Sequence, residues 1–119
     1  MDLESLRDYT LSFKQVTEGF PFDNDTLVFK VAGKMFLLVA LESEPLRCNF
    51  KHRPEDGIQY REEYASVIEG YHMHSKHWST IRLDGEVSID QLKEWIKNSY
   101  DLVVSGMPKY KQKEIKGDD

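Results

Sequence analysis

The chain has 119 residues, of which 39% are hydrophobic and 12% aromatic, with a formal net charge of −5, so it can build one packed core but not two ordinary domains. No apolar run approaches the roughly 20 residues of a membrane span and no cationic leader is present, which predicts a cytoplasmic protein with a single domain over residues 1–108. The acidic balance excludes attachment to nucleic acid by bulk positive charge, and the lone cysteine, Cys48, excludes an intrachain disulfide and a multi-cysteine zinc cluster.

Leu3, Leu6, Tyr9, Phe13 and Val16 recur at helical spacing, predicting an amphipathic helix capped by Asp2 and ending near residue 18, before Gly19 and Pro21. Leu27, Phe29 and Val31 alternate with Val28, Lys30 and Ala32 as in a strand with one buried face. After a turn at Gly33-Lys34, the run from Met35 to Leu41 is apolar throughout and reads as a central strand. Leu46, Cys48 and Phe50 then alternate with Arg47, Asn49 and Lys51, a third antiparallel strand with a polar outer face and a buried thiol.

Pro54, followed by two acids, opens a second helix reaching about Ala65. Val67 to Met73 is irregular, with room for a short strand. His77 to Leu83 is β-branched and aromatic, closing at Asp84-Gly85. Ser88 and Gln91 have capping-box spacing before the last helix, whose face runs through Ile89, Leu92, Ile96, Ser99 and Val103 to the stop at Gly106 and Pro108. Residues 109–119 hold few apolar side chains and are expected to be a flexible tail. This order predicts an α+β two-layer sandwich, an antiparallel sheet with its helices on one face. Arg47, Asn49 and Lys51 would then project from the other face together with Arg82, while Trp78 lies at its rim or packs against Trp95 or Tyr100.

Charge is unevenly spread. Residues 1–46 carry 4 Lys/Arg against 8 Asp/Glu, a net of −4, whereas residues 47–82 carry 6 against 5, a net of +1, with all four histidines. The basic cluster Lys51-His52-Arg53, with Lys76 and Arg82, can hold phosphates if the fold gathers it, with Trp78 or a histidine packed on a sugar or base. His72, His74 and His77 have the types that ligate zinc or nickel, but no carboxylate or cysteine completes a set. Ser75 or Ser79 near His77 is the only local nucleophile and base pairing, and no nucleophile elbow or glycine-rich phosphate loop accompanies it. The residues therefore predict no catalytic site, no metal and no cofactor.

His72-Met73, Ser75-Lys76-His77-Trp78-Ser79-Thr80, Leu83-Asp84-Gly85 and Ser99-Tyr100-Asp101-Leu102-Val103 together resemble the signature of the MmcQ/YjbR family of small bacterial proteins. Pro21-Phe22-Asp23, Gly33-Lys34-Met35-Phe36 and Arg61-Glu62-Glu63-Tyr64 extend the likeness over about residues 3–110, while His74 stands where the motif usually has asparagine. The resemblance implies a CyaY-like, frataxin-related fold and a DNA-binding label tied to a double-wing arrangement of strands. It carries Lys76, His77 and Trp78 over as surface candidates. The expected function is thus a non-enzymatic DNA-binding module acting through Lys51, His52, Arg53, Lys76, His77, Trp78 and Arg82. The alternative is a protein-interaction, small-ligand or metal-binding module, the metal held by Asp2, Glu4 and Asp8 or by the histidines.

Overall fold

The computed structural model describes residues 1–70 and 73–117. Helix α1 spans Leu3–Leu11, and the Asp2 carboxylate accepts the Ser5 amide at 2.8 Å as its cap. The predicted continuation to residue 18 does not occur. Gln15 adopts a left-handed φ of 63°, which turns the chain so that Val16–Gly19 becomes strand β1, paired with β2 at Thr26–Val31. Phe13 still reaches the core, meeting Tyr9 edge-on and Tyr100 at 4.9 Å, so the apolar periodicity marks burial beyond the helix itself.

Ala32 and Gly33, both at positive φ, make the tight turn into β3, Lys34–Ala40, one residue earlier than predicted. Strand β4 is Arg47–Lys51, helix α2 Pro54–Glu63, β5 Val67–Glu69, β6 Trp78–Arg82 and helix α3 Ile89–Ser105. The six strands form one antiparallel sheet in the order β1-β2-β3-β4-β6-β5. Phe29, Leu37, Phe50 and Ile81 point into a core closed by Leu6 of α1 and Trp95, Ile96 and Tyr100 of α3, so the two-layer α+β sandwich is as the sequence predicts.

The predicted flexible tail is corrected over most of its length. Lys109–Lys116 form helix α4, whose Ile115 is buried in the main core, and Lys14 Nζ donates to the Lys116 carbonyl at 2.8 Å. Asp118 and Asp119 lie outside the described residues. Its two apolar residues, Tyr110 and Ile115, stand five apart and form no helical stripe, so packing supplies the stability that periodicity does not encode. Among the described residues no helix is long and apolar enough to cross a membrane.

Candidate functional site

The β4–β6 register decides which cations meet. Lys51 pairs with Trp78, Asn49 with Thr80 and Arg47 with Arg82, so alternation puts these side chains on the sheet face away from the helices, as expected. Four residues separate the two ends of this pair, roughly 13 Å at about 3.3 Å per residue. Lys51 is therefore near the turn that carries Lys76 and His77, whereas Arg82 stands at the far end, within 3.5 Å of Asp84. The expected single surface divides into two.

At the Lys51 end the chain crossings are tight. The His52 amide donates to the His77 carbonyl at 2.9 Å, and Arg53 occupies the N-cap of α2. Lys76 is exposed, its amide 3.3 Å from His74 Nδ1. Among the described residues Lys51, Arg53 and Lys76 enter no ion pair. The backbone thus sets Lys51 and Arg53 beside the segment that carries Lys76 and half-buried His77, with the Lys51 side chain on the open sheet face and Arg53 at the start of α2.

His52 is not among them. Its side chain is 5% exposed, with Nδ1 2.9 Å from the Arg53 carbonyl and Nε2 2.7 Å from Ser79 Oγ, which is itself 2.8 Å from Arg61 Nη1. Nδ1–H donates to the carbonyl and Arg61 donates to Ser79, and with a neutral ring the Ser79 hydroxyl donates to Nε2. The imidazole is neutral in this arrangement, and burial, reinforced by Arg61, holds its pKa below the usual histidine value although the Arg53 carbonyl pulls it up. Ser79, wholly buried, pairs with His52 and not with His77.

Trp78 is also removed from the surface. It is 9% exposed and packs with Val28 and Leu38 under Met35 and Met73, forming a second small core on the open sheet face rather than contacting Trp95 or Tyr100. The face predicted to be polar thus has an apolar centre flanked by cations. Ser99 and Tyr100 serve packing: the Ser99 hydroxyl donates to the Phe36 carbonyl at 2.6 Å and accepts the Lys51 amide at 2.8 Å, and the Tyr100 hydroxyl donates to the Lys14 carbonyl at 2.7 Å. Ser99 acts where β3 carries an extra residue against β2, at the point where the β3–β4 ladder stops.

The histidine cluster is only partly seen. His74 and His77 have ring centroids 5.7 Å apart, His72 lies outside the described residues, and among the described residues no group of three His, Cys, Asp or Glu is placed to hold a metal. Asp2 is occupied as a helix cap. Cys48 is fully buried and its thiol is pushed up to about 12, the inert thiol that strand parity predicts.

Sequence reasoning missed a cleft of about 360 Å³ between α2 and α3, lined by Arg53, Asp56 and Tyr60 on one side and Asn98, Asp101 and Ser105 on the other. Its floor is a set of rings, Phe50 stacked on Trp95 at 5.4 Å and Tyr60 at 4.5 Å from Trp95. Polar residues at helical spacing on α3 were the available signal.

Comparison with known proteins follows the same lines. The family model described as YjbR matches residues 11–102. The uncharacterized protein YbdF of Escherichia coli O157:H7 is 34% identical, with 98% of each chain covered, and the uncharacterized protein YjbR of Escherichia coli K12 is 26% identical over 95% of this chain and 96% of that protein. The crystal structure of Deinococcus radiodurans protein DR2400, a DUF419 domain, superposes with a TM-score of 0.91 at 37% identity, covering 98% of this chain and 88% of that one. A Pseudomonas syringae protein at 22% identity shares the fold, with a TM-score of 0.74 over 86% of this chain and 98% of that one.

Proposed function

The chain belongs to the YjbR family, and from that premise we propose that it is a non-enzymatic, cytoplasmic DNA-binding module that contacts phosphates through Lys51, Arg53, Lys76 and His77. The observation that carries this reading is the His52 to His77 backbone bond, which ties two basic segments together at one end of the sheet in an otherwise acidic protein. Arg82, already beside Asp84, and the buried His52 and Trp78 support the fold and not the contact.

Three unpaired cations neutralise at most about three phosphates, so log K against log salt has a slope no steeper than about −2.7 on duplex DNA, roughly a 40-fold loss between 50 and 200 mM salt. Fluorescence anisotropy with duplex and single-stranded DNA tests this directly. Lys51→Ala with Lys76→Ala should flatten the slope by about two, and Arg82→Ala should leave it unchanged. No binding at low salt, or equal loss from Arg82→Ala, would remove the assignment.

A second reading, a protein-contact module, draws on Phe20 and Phe22, which are 49% and 62% exposed beside the β1 edge. Phe20→Ser with Phe22→Ser would then abolish partner capture from a lysate while DNA titrations stay as before.

A further inference from the structure

The α2–α3 cleft is unusual in what lines it. Asp56 and Tyr60 on α2, and Asn98, Asp101 and Ser105 on α3, recur at spacings of three and four, so each set forms one helical face. Neighbouring helices over a sheet normally turn apolar stripes toward each other and close up. Here α2 meets α3 through rings, Tyr60 and Tyr64 against Trp95, and the polar residues beyond them border a volume within the range of about 300–1,000 Å³ that holds small organic ligands.

Three chemistries converge on that volume. At the α2 end, the exposed Arg53 guanidinium has no carboxylate partner among the described residues and can grip an anion through two parallel donors. Between the helices, half-buried Tyr60 and Leu102 offer a flat apolar wall, fixed from behind by the stacked Phe50 and Trp95. On α3, the exposed Asn98 carboxamide makes no hydrogen bond to a described residue, and Asp101 uses Oδ1 for Lys97 while Oδ2 remains. An anion, a planar apolar face and an edge of donors and acceptors are the three parts of one ligand class.

We propose that this cleft binds a nucleoside monophosphate unit, with the phosphate on Arg53, the base flat against Tyr60 and its edge on Asn98, and, in a free ribonucleotide, the ribose hydroxyls donating toward Asp101. The inference rests on the phosphate reading above through the shared Arg53. Asp56 lines the same end and opposes accumulated negative charge, so monophosphates bind better than triphosphates. The unit is either a free mononucleotide or one nucleotide of a single strand turned out of its stack, and the two sources differ in the assay.

The test is nitrogen-15 NMR titration of the full chain with the four 5′-mononucleotides, adenosine triphosphate, inorganic phosphate and a short single-stranded oligonucleotide, following the Trp95 indole and the amides of Asn98 and Ser105. Saturable shifts confined to the α2–α3 walls are expected for at least one mononucleotide, and Asn98→Leu, a change at an exposed position, should weaken it about tenfold, the size of one lost base-edge contact. Tighter binding of the oligonucleotide at the same amides identifies the strand as the source. Weaker binding identifies the free nucleotide. Mononucleotide shifts no larger than those of inorganic phosphate would overturn the cleft, even if DNA still binds and depends on Lys76. Mononucleotide binding without duplex or single-strand binding would uphold the cleft and overturn the surface.

Discussion

Gly57→Ala sets helix propensity against a steric limit visible only in the fold. In a helix interior this change ordinarily stabilises by about 1 kcal/mol. Here an added methyl group would lie 2.1 Å from His52 Cε1 and 2.6 Å from each ring nitrogen, closer than side chains tolerate. Either the helix shifts or the ring leaves, losing its bonds to the Arg53 carbonyl and Ser79. Two such bonds contribute about 1 kcal/mol each, and overpacking costs a further 1–3 kcal/mol or so. Set against the propensity gain of about 1 kcal/mol, the net expectation is destabilisation by about 2–4 kcal/mol.

Urea denaturation measures it as a lower midpoint at unchanged slope. The same substitution in a His52→Ala background relieves the clash and should become neutral or stabilising, a coupling that a double-mutant cycle reads directly. Gly57→Ala more stable than the parent, or equally destabilising in both backgrounds, would refute the role assigned to the ring.

Further outcomes follow from the same contacts. Ser99→Ala leaves the Phe36 carbonyl and Lys51 amide without their shared partner and should cost about 2–4 kcal/mol by chemical denaturation. Ile115→Ala should cost about 2–4 kcal/mol in the same assay, because α4 is docked in the core; a frayed segment would give no change. Lowering the pH from 7.5 to 5.5 should lower the thermal midpoint, since the folded pKa of His52 is depressed. As pH falls through about 6.5 the unfolded chain takes up a proton that the folded one resists, so stability falls with pH in that window. His52→Gln should remove that part of the pH dependence, read by differential scanning fluorimetry.

Where local pattern and tertiary packing agree, the sequence is a good guide. The Ser88 cap and the α3 stripe from Leu92 onward, though not the exposed Ile89, carry through to the structure, as do the apolar run of β3 and the parity of β4. β1 escaped because Val16 fits a helical stripe as well as a strand, and the deciding event is the left-handed turn at Gln15, which no periodicity encodes. The cations show the same division. Parity correctly put Lys51 and Arg82 on one face, but only strand register reveals that they stand at opposite ends of it. Likewise His52 reads as one of three basic residues in a row until Ser79 and Arg61 are seen closing around it.

The two tryptophans sit on opposite sides of the sheet, Trp95 under the helices and Trp78 beneath Met73 on the other face. Replacing either by phenylalanine would leave a single emitting indole, so each layer can be watched alone during melting or ligand addition. Emission that reddens for one probe before the other would expose a partly loosened state in which one side of the sheet opens first.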